Sequence, residues 1–309
     1  MTHPYATLDY AESLGQGGTV LFLESLAAPV CLRPIPGTEF VDATGVYPFT
    51  GMGETGARDI ATLKAEMRSR GLVSLVLVVD PFTSMSAEGL DVDRTYKSHH
   101  LVDPAAGELS FSRHHRQEIR RALRRCEARP ILLRDHLADF IALYDILIAR
   151  HGLTGVHRFP ASHFAHLAGD PSAFPAFGAF RDGRLVSAHI FMRHRGRSYS
   201  HLAASSEDGY RCGAAYAVYD CAIRALLAEG PISLGGAPDG GSGTGLDRFK
   251  RGFAHAARPS RLCGVIADRA LYGRLCDVAG QGASGPTEEY FPAYRSAAVP
   301  GRPDTGPVD

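Results

Sequence analysis

The sequence predicts an α/β protein with mixed, α+β-type sheets. Residues 1–105 alternate strand-like and helix-like segments. The second half reads strand, hairpin, strand, strand, helix, strand and then a glycine-rich loop. With 45% hydrophobic and 21% charged residues, the 309-residue chain has the make-up of a globular protein of two domains or one large one.

In chain order, a short helix is predicted to start over 8–16 and to close at Gly17-Gly18. Segments 19–23 and 30–35 read as strands, the second bounded by Pro29 and Pro34. The aromatic, glycine-spaced stretch from Phe40 to Gly53 reads as a loop that lines a site or tucks Tyr47 and Phe49 into a connection. Ile60, Leu63 and Met67 fall on one helical face, and Gly71 is a fitting stop. Residues 72–79 form an apolar run of strand length, closed by Asp80-Pro81.

The most basic stretch covers 108–130. Ser112 can cap a helix bearing Arg113, Arg116, Arg120, Arg121, Arg124 and Arg125, with Ile119, Ala122, Leu123 and Cys126 as its apolar stripe. It is either a solvated linker face or a surface whose arginines position an RNA backbone. Residues 137–151 form an amphipathic helix ended by Gly152, and another starts at Ala161. Segments 177–180 and 185–192 join through the hairpin turn Asp182-Gly183. A strand over 198–203, a helix over 214–228 and a strand from Ile232 follow. Beyond Cys276 the chain becomes rich in Gly, Pro and Ser, which predicts a flexible tail over 281–309.

Formal net charge is zero, so a nucleic-acid contact has to come from a local patch. The six cysteines show no CxxC pair and read as reduced thiols of a cytoplasmic protein. No Cys/His pairs stand at zinc-ligand spacing. The doublets His99-His100 and His114-His115 read as solvated loop or helix-face residues. Residues 1–18 lack a signal-peptide pattern, and no apolar run reaches the ~18–20 residues of a membrane span.

The strongest chemical signal lies over 231–253. A short strand at 232–234 enters a glycine-rich loop, and Phe249-Lys250-Arg251-Gly252-Phe253 follows. Glycines admit close backbone approach to a ligand or a positive φ. A cation between two phenylalanines is shielded from water and acts more strongly on an anion. The chain has 30 arginines but only three lysines, Lys64, Lys97 and Lys250. A lysine here is therefore a specific choice, a compact ammonium that arginine does not replace at a tight oxyanion site. The plainer reading is a surface loop followed by an amphipathic turn.

Leu234-Gly235-Gly236 followed by Leu246-Asp247-Arg248-Phe249-Lys250-Arg251-Gly252-Phe253 resembles the FemABX family of aminoacyl-tRNA-dependent peptidyltransferases and its FemAB-like relatives. The Ser110-to-Ala122 basic segment, the Asp80-Pro81 strand end and the Tyr47-to-Gly53 loop are similar to family segments in the same order, over about residues 18–275. The resemblance implies two GNAT-like acyltransferase domains around a shared cleft. The first, over 1–107, is trimmed; the second, over 108–280, is catalytic and carries the basic linker helix; the tail is 281–309. The implied reaction moves an amino acid from aminoacyl-tRNA, the co-substrate, to an amine, with no other cofactor and no metal. The implied acceptor is an amine of a small peptide or of an antibiotic or cell-wall precursor; the short chain, without the long coiled-coil insertion of some members, departs from the family in a way that argues against peptidoglycan and toward the small-molecule acceptors.

By the same resemblance Lys250 stabilises the tetrahedral oxyanion. Asp80 sits near the acceptor amine, or is only a turn former. Tyr199 touches the acyl group or ribose, or is a core tyrosine. Arg158 is a candidate for an acceptor phosphate, and Phe249, Tyr47, Gly235 and Gly236 complete the substrate-binding set. Arg116, Arg120, Arg121 and Arg124 would bind tRNA. The loop that binds coenzyme A pyrophosphate in GNAT enzymes falls at 207–215. There Tyr210 replaces the usual Arg or Gln, and Glu207 and Asp208 oppose an anion. An acyl-CoA-dependent GNAT N-acyltransferase and a non-catalytic RNA-binding GNAT-like protein are the alternatives.

Overall fold

The computed structural model describes residues 2–15, 18–51, 59–83, 88–236, 245–280 and 290–296. Its first elements are α1 (Leu8–Ser13), β1 (Val20–Leu23), β2 (Ala28–Pro34), β3 (Val41–Gly45), α2 (Ile60–Ser69), β4 (Leu72–Val79) and β5 (Val92–Val102). There follow α3 (Arg113–Leu123), β6 (Glu127–Ile131), α4 (Leu137–His151), α5 (Ala161–Gly169), β7 (Ala176–Arg181), β8 (Arg184–His194) and β9 (Arg197–Ser205). The last are α6 (Glu207–Cys212), α7 (Ala214–Leu226), β10 (Ile232–Gly236), α8 (Gly245–Phe253), β11 (Ala256–Ile266) and α9 (Arg269–Val278). No helix among the described residues is long and apolar enough to cross a membrane.

The chain divides into two units, one from the described residues of Met1–Tyr96 and Pro259–Pro307, the other from Lys97–Arg258. This differs from the expected boundaries at 107/108 and 280/281. The reason is an exchange of strands. The end of β11, Arg261 to Ile266, pairs antiparallel with β4 and so belongs to unit 1. The end of β5, His99 to Val102, pairs antiparallel with β10 and so belongs to unit 2. Each unit is completed by the strand that follows the other's last strand in sequence.

In unit 1, β1, β2 and β3 are successive antiparallel neighbours and β4 lies parallel to β3. The run expected as a loop after Phe40 thus begins as strand β3. Asp59 caps α2 by accepting from the Thr62 N–H. Ile60, Leu63 and Met67 then bury one stripe of α2 against Val30, Leu75, Leu77 and Val265. The expected tail is corrected in part. Residues 290–296 are packed, with Phe291, Ala293 and Tyr294 buried beside Tyr272 and Val73. A Cβ on Gly264 would lie 2.6 Å from the Phe291 ring, so a glycine admits it there. Residues 281–289 and 297–309 lie outside the described residues.

Unit 2 repeats the plan: β7, β8 and β9 are antiparallel, β6 extends the edge beside β7, and β10 runs parallel to β9. Asp182 (φ 50°) and Gly183 (φ 75°) make the tight β7–β8 turn that the sequence predicts. Helices α6 and α7 supply the crossover from β9 to β10. Ala217, Val218, Ala222 and Ile223 of α7 are buried against Phe177, Phe191, Ile232 and Leu234.

Asp42, fully buried in unit 1, accepts from Arg33 Nε (3.0 Å), Arg295 Nε (2.6 Å) and the Tyr294 hydroxyl (2.9 Å). Removing it strands two guanidinium groups beside a buried phenol. Asp42→Ala should therefore cost about 3 kcal/mol of unfolding free energy, read from urea denaturation of the full chain.

Candidate functional site

Strand β10 pairs with β9 at Ile232 and Ser233. Its register against β5 shifts between Ser233 and Gly236. The Gly235-Gly236 pair therefore lies at an irregular strand end. Gly235 takes φ +83°, a conformation that favours glycine. Lys250 projects from α8 onto this pair, and its Nζ donates to the Gly236 carbonyl at 2.6 Å. A Cβ on Gly235 would stand 3.1 Å from that nitrogen. The ammonium is buried, with Lys250 only 9% exposed. The segment expected as an amphipathic turn is thus a helix, and its motif residues divide between two faces.

On one face Phe249 and Phe253 pack on Tyr216 and Tyr219, with ring centroids 4.8 to 6.0 Å apart. Phe249 is therefore a wall of the aromatic core beside Lys250. Its carbonyl accepts from His115 Nε2 at 2.8 Å. Since Nε2 carries the proton, Nδ1 accepts from the Ser112 hydroxyl at 2.9 Å. The imidazole lies against Gly252, where a Cβ would come within 1.9 Å of His115 Cε1. The motif glycine is thus required by the histidine, and Ser112, which caps α3 as predicted, completes the joint through a hydrogen bond from its N–H to the Gly252 carbonyl (2.9 Å).

On the other face, Asp247 of α8 holds His100 Nε2 (2.9 Å) and Arg251. His99 Nδ1 meets the Ser233 hydroxyl at 3.1 Å, and a Cβ on Gly236 would lie 3.3 Å from His99 Cδ2 and 3.0 Å from Lys97 Cβ. Two of the three lysines therefore flank one glycine. The reading of the histidine doublets as solvated holds for His114, which is exposed on α3, and is corrected for the others: His115 is buried and His99 and His100 belong to the Lys250 site. Burial first, then the Lys250, Lys97 and His100 charges, push the His99 imidazole down to about 3. Burial and Lys250 do the same to His189 of β8, also to about 3. His189 Nε2 meets the Ser200 hydroxyl at 2.9 Å and its ring lies 4.6 Å from Tyr219.

The other expected residues are dispersed. Tyr199 is buried at the β9–β10 pair next to Ser233, the burial of a core tyrosine at the foot of the glycine pair. Arg158 is exposed after the turn Gly155–His157, and among the described residues its side chain makes no contact with the α8 site. Tyr47 and Asp80 belong to unit 1. The Tyr47 carbonyl accepts from the Tyr10 hydroxyl (2.7 Å). The Asp80 carboxylate accepts from the Phe82 N–H (2.8 Å) and the Thr83 hydroxyl, so it closes its own turn. The loop after Gly236 and Met52-Gly53 lie outside the described residues. The arginines of α3 are exposed but split. Arg116 and Arg120 line a groove of about 330 Å³ with Phe111 and Arg224. Arg124 lines one of about 700 Å³ with Arg125, Arg129 and Arg181.

At the start of α6, Ser206 caps the helix through the Gly209 N–H, and Glu207 and Asp208 occupy the first turn. A Cβ on Gly209 would lie 2.1 Å from the Val186 carbonyl oxygen, so this glycine serves packing. Among the described residues no group of His, Cys, Asp or Glu is placed to hold a metal.

The buried histidines make stability pH-dependent. His99, His163 and His189 stay neutral in the fold down to about 3, whereas unfolded histidines protonate near ~6.5. Between these values the unfolded chain binds more protons, so stability is complete above the unfolded value and is lost as pH falls. The loss is at most about 1.4 kcal/mol per pH unit for each histidine. Urea midpoints measured from pH 7 to 4 should drop accordingly, and less steeply in His189→Gln.

Residues 113–251 match the sequence model of the acetyltransferase (GNAT) domain. No curated protein sequence matches the chain. Among solved structures it is similar to the C-terminal domain of a provisionally named lysylphosphatidylglycerol synthetase from Agrobacterium fabrum, at 17% identity and TM-score 0.61, covering 85% of this chain and 88% of that one. FemX is similar at 13% identity and TM-score 0.60, covering 87% and 94%. L-PGS from Bacillus licheniformis is similar at 14% and 0.56, covering 88% and 95%. These likenesses are likenesses of fold, and they agree with the α/β, GNAT-like architecture expected from the sequence. Residues 113–251 thus carry the match to a GNAT-type acetyltransferase domain, and the chain shares the fold of FemX over most of its length.

Proposed function

We propose that the protein is an aminoacyltransferase that moves an amino acid from aminoacyl-tRNA to an amine of a small peptide or of an antibiotic or cell-wall precursor. The observation that carries this reading is the buried Lys250 ammonium on the Gly236 carbonyl. A buried cation beside a glycine backbone is suited to a charge that appears only during reaction. The acceptor amine attacks the ester carbonyl, a C–N bond forms, and the carbonyl oxygen becomes an oxyanion opposite Lys250. Collapse of this intermediate breaks the ester C–O bond and releases the ribose oxygen of the tRNA end. Arg116, Arg120, Arg121 and Arg124 are proposed to hold the tRNA backbone, and Asp80 to lie on the acceptor side.

Two observations favour this donor over acyl-CoA. The first turn of α6 carries Glu207 and Asp208, and its cap position is filled by the Ser206 side chain. A pyrophosphate would meet two carboxylates where it needs free N–H groups. FemX and the solved C-terminal domain of a lysylphosphatidylglycerol synthetase share the fold over most of the solved chains, and the name of the latter denotes transfer of an aminoacyl group.

The test is to give the full chain radiolabelled aminoacyl-tRNAs and, separately, acetyl-CoA, each with a panel of amines and short peptides. The expected outcome is consumption of charged tRNA with formation of an amide. Consumption of acetyl-CoA alone overturns the proposal in favour of a GNAT N-acetyltransferase. Retention of tRNA without transfer would favour an RNA-binding role. Lys250→Met keeps the packing volume and should lower single-turnover transfer by about 10²–10³-fold, as loss of one oxyanion donor does, with an unchanged unfolding midpoint.

A further inference from the structure

We infer that His99 takes the proton from the acceptor amine during acyl transfer, working across the Gly235-Gly236 backbone from Lys250. This rests on the reading of Lys250 as the cation that meets the oxyanion. Attack by an amine produces an N–H proton that has to leave before the product amide forms. The groups beside Lys250 offer few bases. Asp247 is engaged by His100 and Arg251. His189 is buried to 1% exposure and its Nε2 is held by Ser200. His115 is consumed at both nitrogens, by Ser112 and by Phe249. His99 differs. Its Nδ1 is oriented by the Ser233 hydroxyl (3.1 Å), which also lies 3.4 Å from the Gly235 N–H it accepts. With Nδ1–H donating to that oxygen, Nε2 is the basic nitrogen, and no described residue holds it.

Placement supports the pairing. His99 is the register partner of Gly236 across β5 and β10, and Gly236 is the residue whose carbonyl holds Lys250. A side chain at Gly235 would crowd the Lys250 ammonium, and one at Gly236 would crowd the His99 ring and Lys97. The two glycines thus keep space open between the cation and the base.

The charges around His99 make its basicity depend on the reaction. The groups that face it are Lys97 and His100 from its own strand, Ser233 from β10, and Lys250 from α8. Before reaction burial first, and then the two ammonium groups, oppose a proton on the ring, so the base starts unprotonated. When the oxyanion forms against Lys250, that charge is compensated and the ring becomes the better proton acceptor. The balance closes within the site. The amine nitrogen bonds to the acyl carbon, its proton passes to His99 Nε2, the ester C–O bond breaks, and the proton passes to the departing ribose oxygen.

Two measurements on the full chain test this. In the first, the His99 ring proton is followed by NMR against pH in the wild type, Lys97→Met and Lys250→Met. Its midpoint should be lowest in the wild type and rise by about one pH unit in either variant; an unmoved midpoint in both overturns the coupling. In the second, His99→Gln, which keeps size and a polar contact, should lower transfer by about 10²-fold, and added imidazole should restore part of it. Transfer within threefold of wild type, or a loss that imidazole does not relieve while Ser233→Ala loses equally, overturns the assignment. The assay uses whichever donor the wild type consumes. If that donor is acetyl-CoA, the proposed function fails while the role of His99 is still decided, since that transfer also releases an amine proton.

Discussion

The placement of one ammonium group governs the second unit. Burying a lysine is costly unless its charge is met by oriented dipoles or opposite charge. Here the Lys250 charge is received by a backbone carbonyl that only a glycine pair presents at such close range. The helix that carries it is held from both sides, by the aromatic wall of Phe249 and Phe253 and by Asp247, which hydrogen-bonds His100 and forms an ion pair with Arg251. Around it the histidines are kept neutral, so the site does not accumulate further positive charge. A cation maintained this way is preorganised, and its interaction with a developing negative charge requires little reorganisation.

The second constraint is steric, and it joins distant parts of the sequence. His115 of α3 occupies the volume that a side chain at position 252 would need, and it takes the proton arrangement imposed by the Phe249 carbonyl. The basic helix and the lysine motif therefore form one joint. Arg116 and Arg120 of α3 line one groove and Arg124, just after it, lines another, so a polyanion held there would be fixed relative to α8.

Legibility in the sequence followed local physics. Lys250 stood out because lysine is rare in this chain, and the Asp182-Gly183 turn and the Ser112 cap were readable because their backbone geometry is encoded by two or three residues. His99 and His100 were not readable. On a strand, adjacent side chains face opposite ways, and only the register that sets His99 against Gly236 and brings His100 to Asp247 gives them partners. The polar alternation of β5 concealed that it is a strand. The unit boundary was misjudged for a related reason: β5 and β11 each complete the unit that their sequence neighbours do not occupy, a pairing that no local signal carries. Residues 290–296 lie within a stretch whose overall composition reads as a tail, yet Tyr294 and Arg295 satisfy a carboxylate buried some 250 positions earlier.

The choice of donor turns on where free N–H groups are available for an anion. At a GNAT crossover the helix after the fourth strand offers them to a pyrophosphate. In this chain the first helix after β9, α6, has its N-terminal turn satisfied, while the helix that follows, α7, starts at Gly213 without a side-chain cap. Ser206 caps α6, Gly209 is committed to close contact with the Val186 carbonyl, and two carboxylates add charge of the wrong sign. Positive charge is instead gathered at two other places of the same unit, the exposed arginines of α3 and the lysines beside Gly236. An acyl donor whose negative charge is spread along a long backbone, with its reactive ester at one end, matches that distribution better than one whose charge sits in a single compact pyrophosphate. In the proposed reaction the two kinds of cation would do different work: solvated guanidinium groups would position the donor through many weak, salt-sensitive contacts, whereas the buried ammonium would act on one atom at one moment.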